Sequence, residues 1–252
     1  MVRRLICRAL LGLAALAPLP SVAAEQCRQA LALGLDVSGS VDADEWSLQI
    51  EGIARALETE PVRRAFLAME GALVYLMIYE WAGDAAQRDL VDWRAIRNEG
   101  DLDGVAATLR DVPRRPHAPG TAMGAGMAYG GEKLALVKGC WRYTLDISAD
   151  GRSNLGPRPH TVKLSPTLAH VTINGLVVST GSPRISEASR MKELDMLEQY
   201  FRGAVIQGHG AFVETARSYA DYEAAMTRKL LKELQTLTVG DRGMDTAATS
   251  HQ

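Results

Sequence analysis

Residues 32–40 read Ala-Leu-Gly-Leu-Asp-Val-Ser-Gly-Ser. A carboxylate and two hydroxyls, Asp36, Ser38 and Ser40, stand at alternate positions directly after an apolar run. Such a set suits a small hard cation, which takes about six oxygen ligands in near-octahedral order. It equally suits a strand-to-helix junction, because Ser and Asp are good caps for helix amino termini. Two other points are rich in oxygen: Gly120-Thr121, where a loop meets a helical pattern, and Asp150-Gly151, after another apolar run. Thr121 is able to cap its own helix, and Asp-Gly is a turn dipeptide. Taken singly, each piece leaves both readings open.

The segments that must position these residues alternate between two periods. Apolar runs over 31–35, 72–79, 142–148 and 171–179 read as buried strands, with a short last strand over 204–207. Residues 88–93 alternate polar and apolar, which predicts an edge strand after a tight turn at Gly83-Asp84. Helical patterns cover 41–60, 102–109, 121–137, 159–169 and 186–200, and a long closing helix is expected over 212–234. Asp42, Asp44 and Glu45 crowd the first turn of the first helix, where acidic groups oppose the helix dipole. Strands alternating with helices imply an α/β doubly wound fold, with a mostly parallel sheet covered on both faces. In such sheets ligands gather beyond the carboxyl ends of the strands. Asp36, Thr121 and Asp150 fall there, and so do Glu80 and Trp81 at the end of the second strand. Trp81 suits either a partner contact or a cover over the core. His117 in the Pro-rich loop 113–120, and His209 in the Gly-His-Gly after the expected last strand, are placed on the same rim. An ordinary exposed loop histidine accounts for each; modulation of partner binding by pH is the functional alternative. Asp146 is odd, because it interrupts an apolar run and needs a partner if buried.

The first 24 of the 252 residues do not read as part of this fold. Arg3, Arg4 and Arg8 precede an apolar core, and Val22-Ala23-Ala24 offers small residues for cleavage. This is the pattern of a secretory signal peptide cut after Ala24, so the chain is expected to be exported, periplasmic or secreted. Ala24-Glu25-Gln26 is too polar to make Cys27 a lipid attachment site, and no later stretch is apolar enough to span a bilayer. From residue 25 onward the 28 basic residues fall to 25 against 30 acidic ones, a net charge of −5 that does not point to nucleic acid. The tail from residue 235 is polar and small, a composition that favours disorder. Cys27 and Cys140 remain after cleavage, and two cysteines in an exported chain invite a disulfide. There is no Gly-x-Ser-x-Gly elbow, no His-Glu-x-x-His and no Gly-rich phosphate loop with Lys.

The combination of Asp36, Ser38, Ser40, Thr121 and Asp150 at successive strand and helix ends resembles the metal-ion-dependent adhesion site of the von Willebrand factor type A superfamily. The resemblance covers nearly all of 31–234 and includes an antiparallel strand after the second strand. "PGTAMGAGM" is similar to the superfamily's Thr-containing loop, and "LDISADGRSN" to its strand ending in Asp-Gly. "LDVSGSVD" and "EWAGD" resemble a group of exported bacterial proteins with this domain and no established function. The resemblance implies that the hydroxyls of Ser38, Ser40 and Thr121 contact Mg²⁺ or Mn²⁺, with Ca²⁺ as a third option. Asp36 and Asp150 would act partly through water. A cation so held keeps one position open for a carboxylate from a protein partner, which implies a binding module without catalytic residues. The alternatives are a metal-dependent hydrolase and a domain that keeps the fold without a metal. By the same resemblance the first strand and the strand before Asp150 are parallel neighbours. Cys27, nine residues before Asp36, and Cys140, ten before Asp150, would then pair. The closing helix is implied to be able to shift when the metal site fills.

Overall fold

The computed structural model describes residues 25–115, 120–180 and 186–235. The proposed signal peptide, His117 and the tail beyond residue 235 lie outside these. Six strands form one sheet in the order β3-β2-β1-β4-β5-β6. They are β1 (Gln26–Asp36), β2 (Ala72–Trp81), β3 (Gln87–Ile96), β4 (Arg142–Ala149), β5 (Thr172–Val178) and β6 (Val213–Ala216). All neighbours are parallel except β2 and β3, as the crossover pattern requires. β1 from Ala30 to Leu35 and β2 from Ala72 to Tyr79 are continuous apolar runs because both of their faces are covered. β1 pairs with β2 on one side and β4 on the other, so the strand order reverses at the carboxyl end of β1.

Alternate side chains of β1 go to opposite faces. Leu31, Leu33 and Leu35 pack in the core under α1 (Ala43–Glu58), α2 (Glu60–Phe66), α3 (Glu99–Asp111) and α7 (Tyr222–Glu233). Ala30 and Ala32 face the second core, with α4 (Met123–Leu136), α5 (Pro159–Val162) and α6 (Glu187–Ala204). That second face is built for close approach. A Cβ on Gly126 of α4 would lie 2.6 Å from Trp81 Cγ, and one on Gly130 would lie 2.5 Å from Tyr79 Oη. Tyr79 Oη in turn donates to the Gly126 carbonyl at 2.8 Å. The small residues of α4 thus make room for two large aromatic side chains of β2, and Trp81 is fully buried rather than available to a partner.

Three expectations about elements are corrected. Residues 204–207 are not a strand. α6 runs on to Ala204, Phe201 and Val205 bury its end, and Gln207 makes only an isolated bridge to Ile173. The chain then reverses through Gly208 and Gly210, whose φ of 100° and 71° few other residues adopt. The expected helix over 212–234 is instead β6, a 3₁₀ turn at Tyr219–Asp221 and α7. The expected helix over 159–169 is only the single turn of α5, followed by turns that carry Leu168 into the core. The first helix ends at Glu58 with Thr59 as its cap, and Pro61 sits in the first turn of α2, where its missing N–H costs nothing.

Two features join distant parts of the chain. Cys27 and Cys140 form a disulfide 113 residues apart in sequence. Asp146 is buried beside Lys229 of α7, whose Nζ lies 3.0 Å from Asp146 Oδ1 and 2.8 Å from Glu233 Oε1. Asn174 of β5 also donates to Glu233 at 2.8 Å. Burial works against the Lys229 ammonium, but Asp146 and Glu233 outweigh it and raise its pKa. The odd carboxylate of β4 is thus an anchor for α7.

Replacing Lys229 by Met is expected to cost about 3–5 kcal/mol in urea unfolding, because it strands two buried carboxylates. Adding Asp146→Asn and Glu233→Gln should recover part of that loss. Cys27→Ser with Cys140→Ser should lower the unfolding free energy by up to about 4–5 kcal/mol through the freed chain entropy.

Candidate metal centre

β1 ends at Asp36, whose side chain is wholly buried. Its Oδ1 accepts the Ser38 N–H at 2.8 Å, and Gln49 of α1 donates to its carbonyl at 3.2 Å. These bonds fold residues 37–41 into a compact turn, closed by Val41 N–H donating to the Ser38 carbonyl at 2.9 Å. α1 then starts on Asp42, which accepts the N–H groups of Asp44 and Glu45, while Glu45 accepts the Asp42 N–H. The acidic residues after the serines therefore build the helix start, as their position predicts.

Thr121 arrives from another direction. Gly120 precedes it with φ of 93°, and Ala122 N–H donates to the Ala82 carbonyl at 2.7 Å. The loop after β4 clamps it further. Asn154 Oδ1 accepts the Thr121 N–H at 2.8 Å, and the Asn154 N–H donates to the Thr121 carbonyl at 3.0 Å. Ser153 Oγ donates to the same carbonyl at 3.2 Å.

The three segments meet in one chain of oxygens. Thr121 Oγ1 donates to Ser38 Oγ at 3.2 Å, and Ser38 Oγ lies 3.2 Å from Ser40 Oγ. Ser40 Oγ donates to Asp150 Oδ1 at 2.8 Å. All five residues singled out by spacing are thus brought together at the carboxyl ends of β1 and β4, where the strand order reverses. Asp36 Oδ2 and Asp150 Oδ2 are buried without hydrogen-bond partners among the described residues. Burial, and then the neighbouring Asp150, push the Asp36 carboxyl up to about 8. Burial also raises Asp150, against the hydrogen bonds from Ser40 and Tyr219. A buried and a half-buried carboxylate, Asp36 and Asp150, each with an orphaned oxygen, beside three neutral hydroxyls form an oxygen set that fits a hard divalent cation. Among the described residues no cluster of three His, Cys, Asp or Glu side chains offers a metal site of the zinc type.

The lesser candidates are not brought to this cluster. Glu80 is buried and paired across the β2–β3 ladder with Arg88 at 2.8 Å, so it is not open to a partner. Trp81 lies under α4. His209 precedes the last strand instead of following it. Its neighbour Gly208 packs on Thr172 at the amino end of β5, the end of the sheet away from Asp36. Four residues at the site escaped the sequence reading. Gln49, Ser153 and Asn154 act through local backbone clamps that spacing does not announce. Tyr219 reaches Asp150 from the segment expected to be helix.

The six-stranded, mostly parallel sheet with its antiparallel β2–β3 pair and helices on both faces is a fold of the von Willebrand factor type A-like kind. Solved structures agree on the fold. Proximal thread matrix protein 1 from the mussel byssus, with a zinc occupied MIDAS motif, is 12% identical with a TM-score of 0.54, over 84% of this chain and 48% of that one. The pilus adhesin SpaC from Lactobacillus rhamnosus GG is 13% identical with a TM-score of 0.55, over 84% of this chain and 32% of that one. An aerotolerance-related membrane protein from Bacteroides fragilis is 16% identical with a TM-score of 0.53, over 81% of this chain and 98% of that one. The chain thus spans about half or less of the mussel and Lactobacillus proteins. It belongs to the family described as "Protein of unknown function (DUF1194)", which matches residues 26–238. No curated protein matches it.

The raised pKa of Asp36 has a measurable consequence. The folded state keeps this proton up to about pH 8, whereas the unfolded chain releases it near the ordinary 3.8. The metal-free protein should therefore lose stability as pH rises through this window. Thermal unfolding in chelator should show a downward slope with pH that flattens in Asp36→Asn, and Mg²⁺ should stabilise most at the alkaline end.

Proposed function

We propose that the chain is an exported binding module that engages a protein partner through a divalent cation, Mg²⁺ or Mn²⁺, held by Asp36, Ser38, Ser40, Thr121 and Asp150. The observation that carries this reading is the convergence of three hydroxyls on two carboxylates, one buried and one half-buried, whose second oxygens have no hydrogen-bond partner among the described residues. Hydroxyl ligands hold a cation without neutralising it. When bound, such a cation supplies Lewis acidity toward an anionic oxygen, which a partner's carboxylate is suited to provide. The chain's own residues set the stage for this. Ser38 N–H fixes the orientation of Asp36, Asn154 and Ser153 fix Thr121, and Ser40 Oγ holds Asp150.

Export is supported by the basic and apolar start of the sequence and by the Cys27–Cys140 disulfide, which suits an oxidising compartment. No helix among the described residues is long and apolar enough to cross a membrane. The adhesin and the zinc-bearing motif among the similar structures favour a metal-dependent binding role over others.

Calorimetric titration of Mg²⁺ and Mn²⁺ into metal-stripped protein tests the site. One cation should bind per chain, and Asp36→Ala should abolish the binding. No heat at millimolar metal in the wild-type protein would refute a preformed site.

A further inference from the structure

A cleft of about 310 Å³ opens beside the oxygen cluster, between the carboxyl ends of β4 and β5 and the side of α6. Asp150 belongs to both the cluster and the cleft wall. Leu194 and Leu197 of α6 give the cleft an aliphatic lining, and Met196, 40% exposed, stands with them. Arg152 is held in place from two sides, donating to the Met196 carbonyl at 3.1 Å and lying 5.6 Å over the ring of Tyr200. Ser179 also lines the cleft. It is only 6% exposed, and its hydroxyl has no hydrogen-bond partner among the described residues.

We propose that this cleft takes an aliphatic side chain adjoining the carboxylate that the partner presents to the cation. The inference rests on the metal-bridged reading above and adds what the partner must look like: an acidic group flanked by an aliphatic one. Three observations point to that occupant. The cleft is continuous with the candidate metal site through Asp150. Val178, Leu194 and Leu197 give it aliphatic carbon, while its charged side chains, Arg152 against Asp150 and Glu193, leave the attraction of an anionic group to the cation. Its volume, at the small end of ligand pockets of about 300–1,000 Å³, leaves room for an aliphatic side chain with its neighbouring backbone. A cation alone accepts any carboxylate, so an aliphatic lining beside it would supply the discrimination.

The test uses acetate, butyrate and hexanoate as probes, titrated into isotope-labelled protein saturated with Mg²⁺ and followed by NMR. Affinity should rise by about fourfold for each methylene that enters the cleft, the equivalent of about 0.8 kcal/mol. Amide signals of Ser179, Leu194 and Leu197 should shift with the longer acids only. Met196→Glu, at an exposed position, should keep acetate binding and lose the gain with length. Equal, Mg²⁺-dependent affinities for all three acids would overturn the cleft and leave the metal-bridged reading standing. Absence of any Mg²⁺-dependent binding would overturn both.

Discussion

From Gln29 to Leu35, β1 runs beside β4 at a constant offset of 113 residues, and the disulfide between Cys27 and Cys140 continues the same offset. This single register decides where the chemistry sits. It brings Asp36 to the end of one strand and Asp150 one residue past the end of its neighbour, at the height where Ser40 can bridge to the latter. A slip of one residue would send every side chain of β1 to the opposite face. The leucines would then meet α4, where only alanine and glycine fit under Tyr79. The alternation of Leu with Ala and Gly along β1 therefore fixes the register as firmly as the covalent bond does.

The oxygen cluster is costly to the protein that carries it. Asp36 has no solvent to share its charge, and Asp150 adds repulsion. Other carboxylates buried among the described residues also keep an oxygen without a hydrogen bond, but each has a cation beside it: Lys229 for Asp146 and Glu233, and Arg88 for Glu80. Among the described residues Asp36 and Asp150, at the crest of β1 and β4, face three neutral hydroxyls and make no ion pair. The contrast between the two treatments is the physical reason to read the first as a place for an external cation and the second as structure.

Much of this was legible in the sequence, and the parts that were not have identifiable causes. The strands of the sheet centre announce themselves because double-sided burial makes them apolar runs. The five oxygen-bearing residues lie beside glycines or at the ends of those runs, which exposes their spacing. The last strand escaped because it is four residues long and its neighbour Ala204-Val205-Ile206 is more apolar; that segment is the buried end of α6. Misplacing it carried His209 to the wrong end of the sheet and hid Tyr219. Trp81 was ambiguous because an aromatic at a strand end looks alike whether covered or bare. The glycine that covers it, Gly126, sits more than forty residues away, and only the packing of α4 joins the two.

The disulfide also divides the chain topologically. It closes residues 27–140 into a covalent ring, with β5, β6, α6 and α7 outside. Tension applied between the two ends of the protein enters at Cys27, crosses to Cys140 and leaves along β4, bypassing everything within the ring. Asp36, Ser38, Ser40 and Thr121 all lie inside it. A pull on a tethered molecule could draw β4 and Asp150 away, yet it could not unravel the loop that holds the other four without breaking a covalent bond.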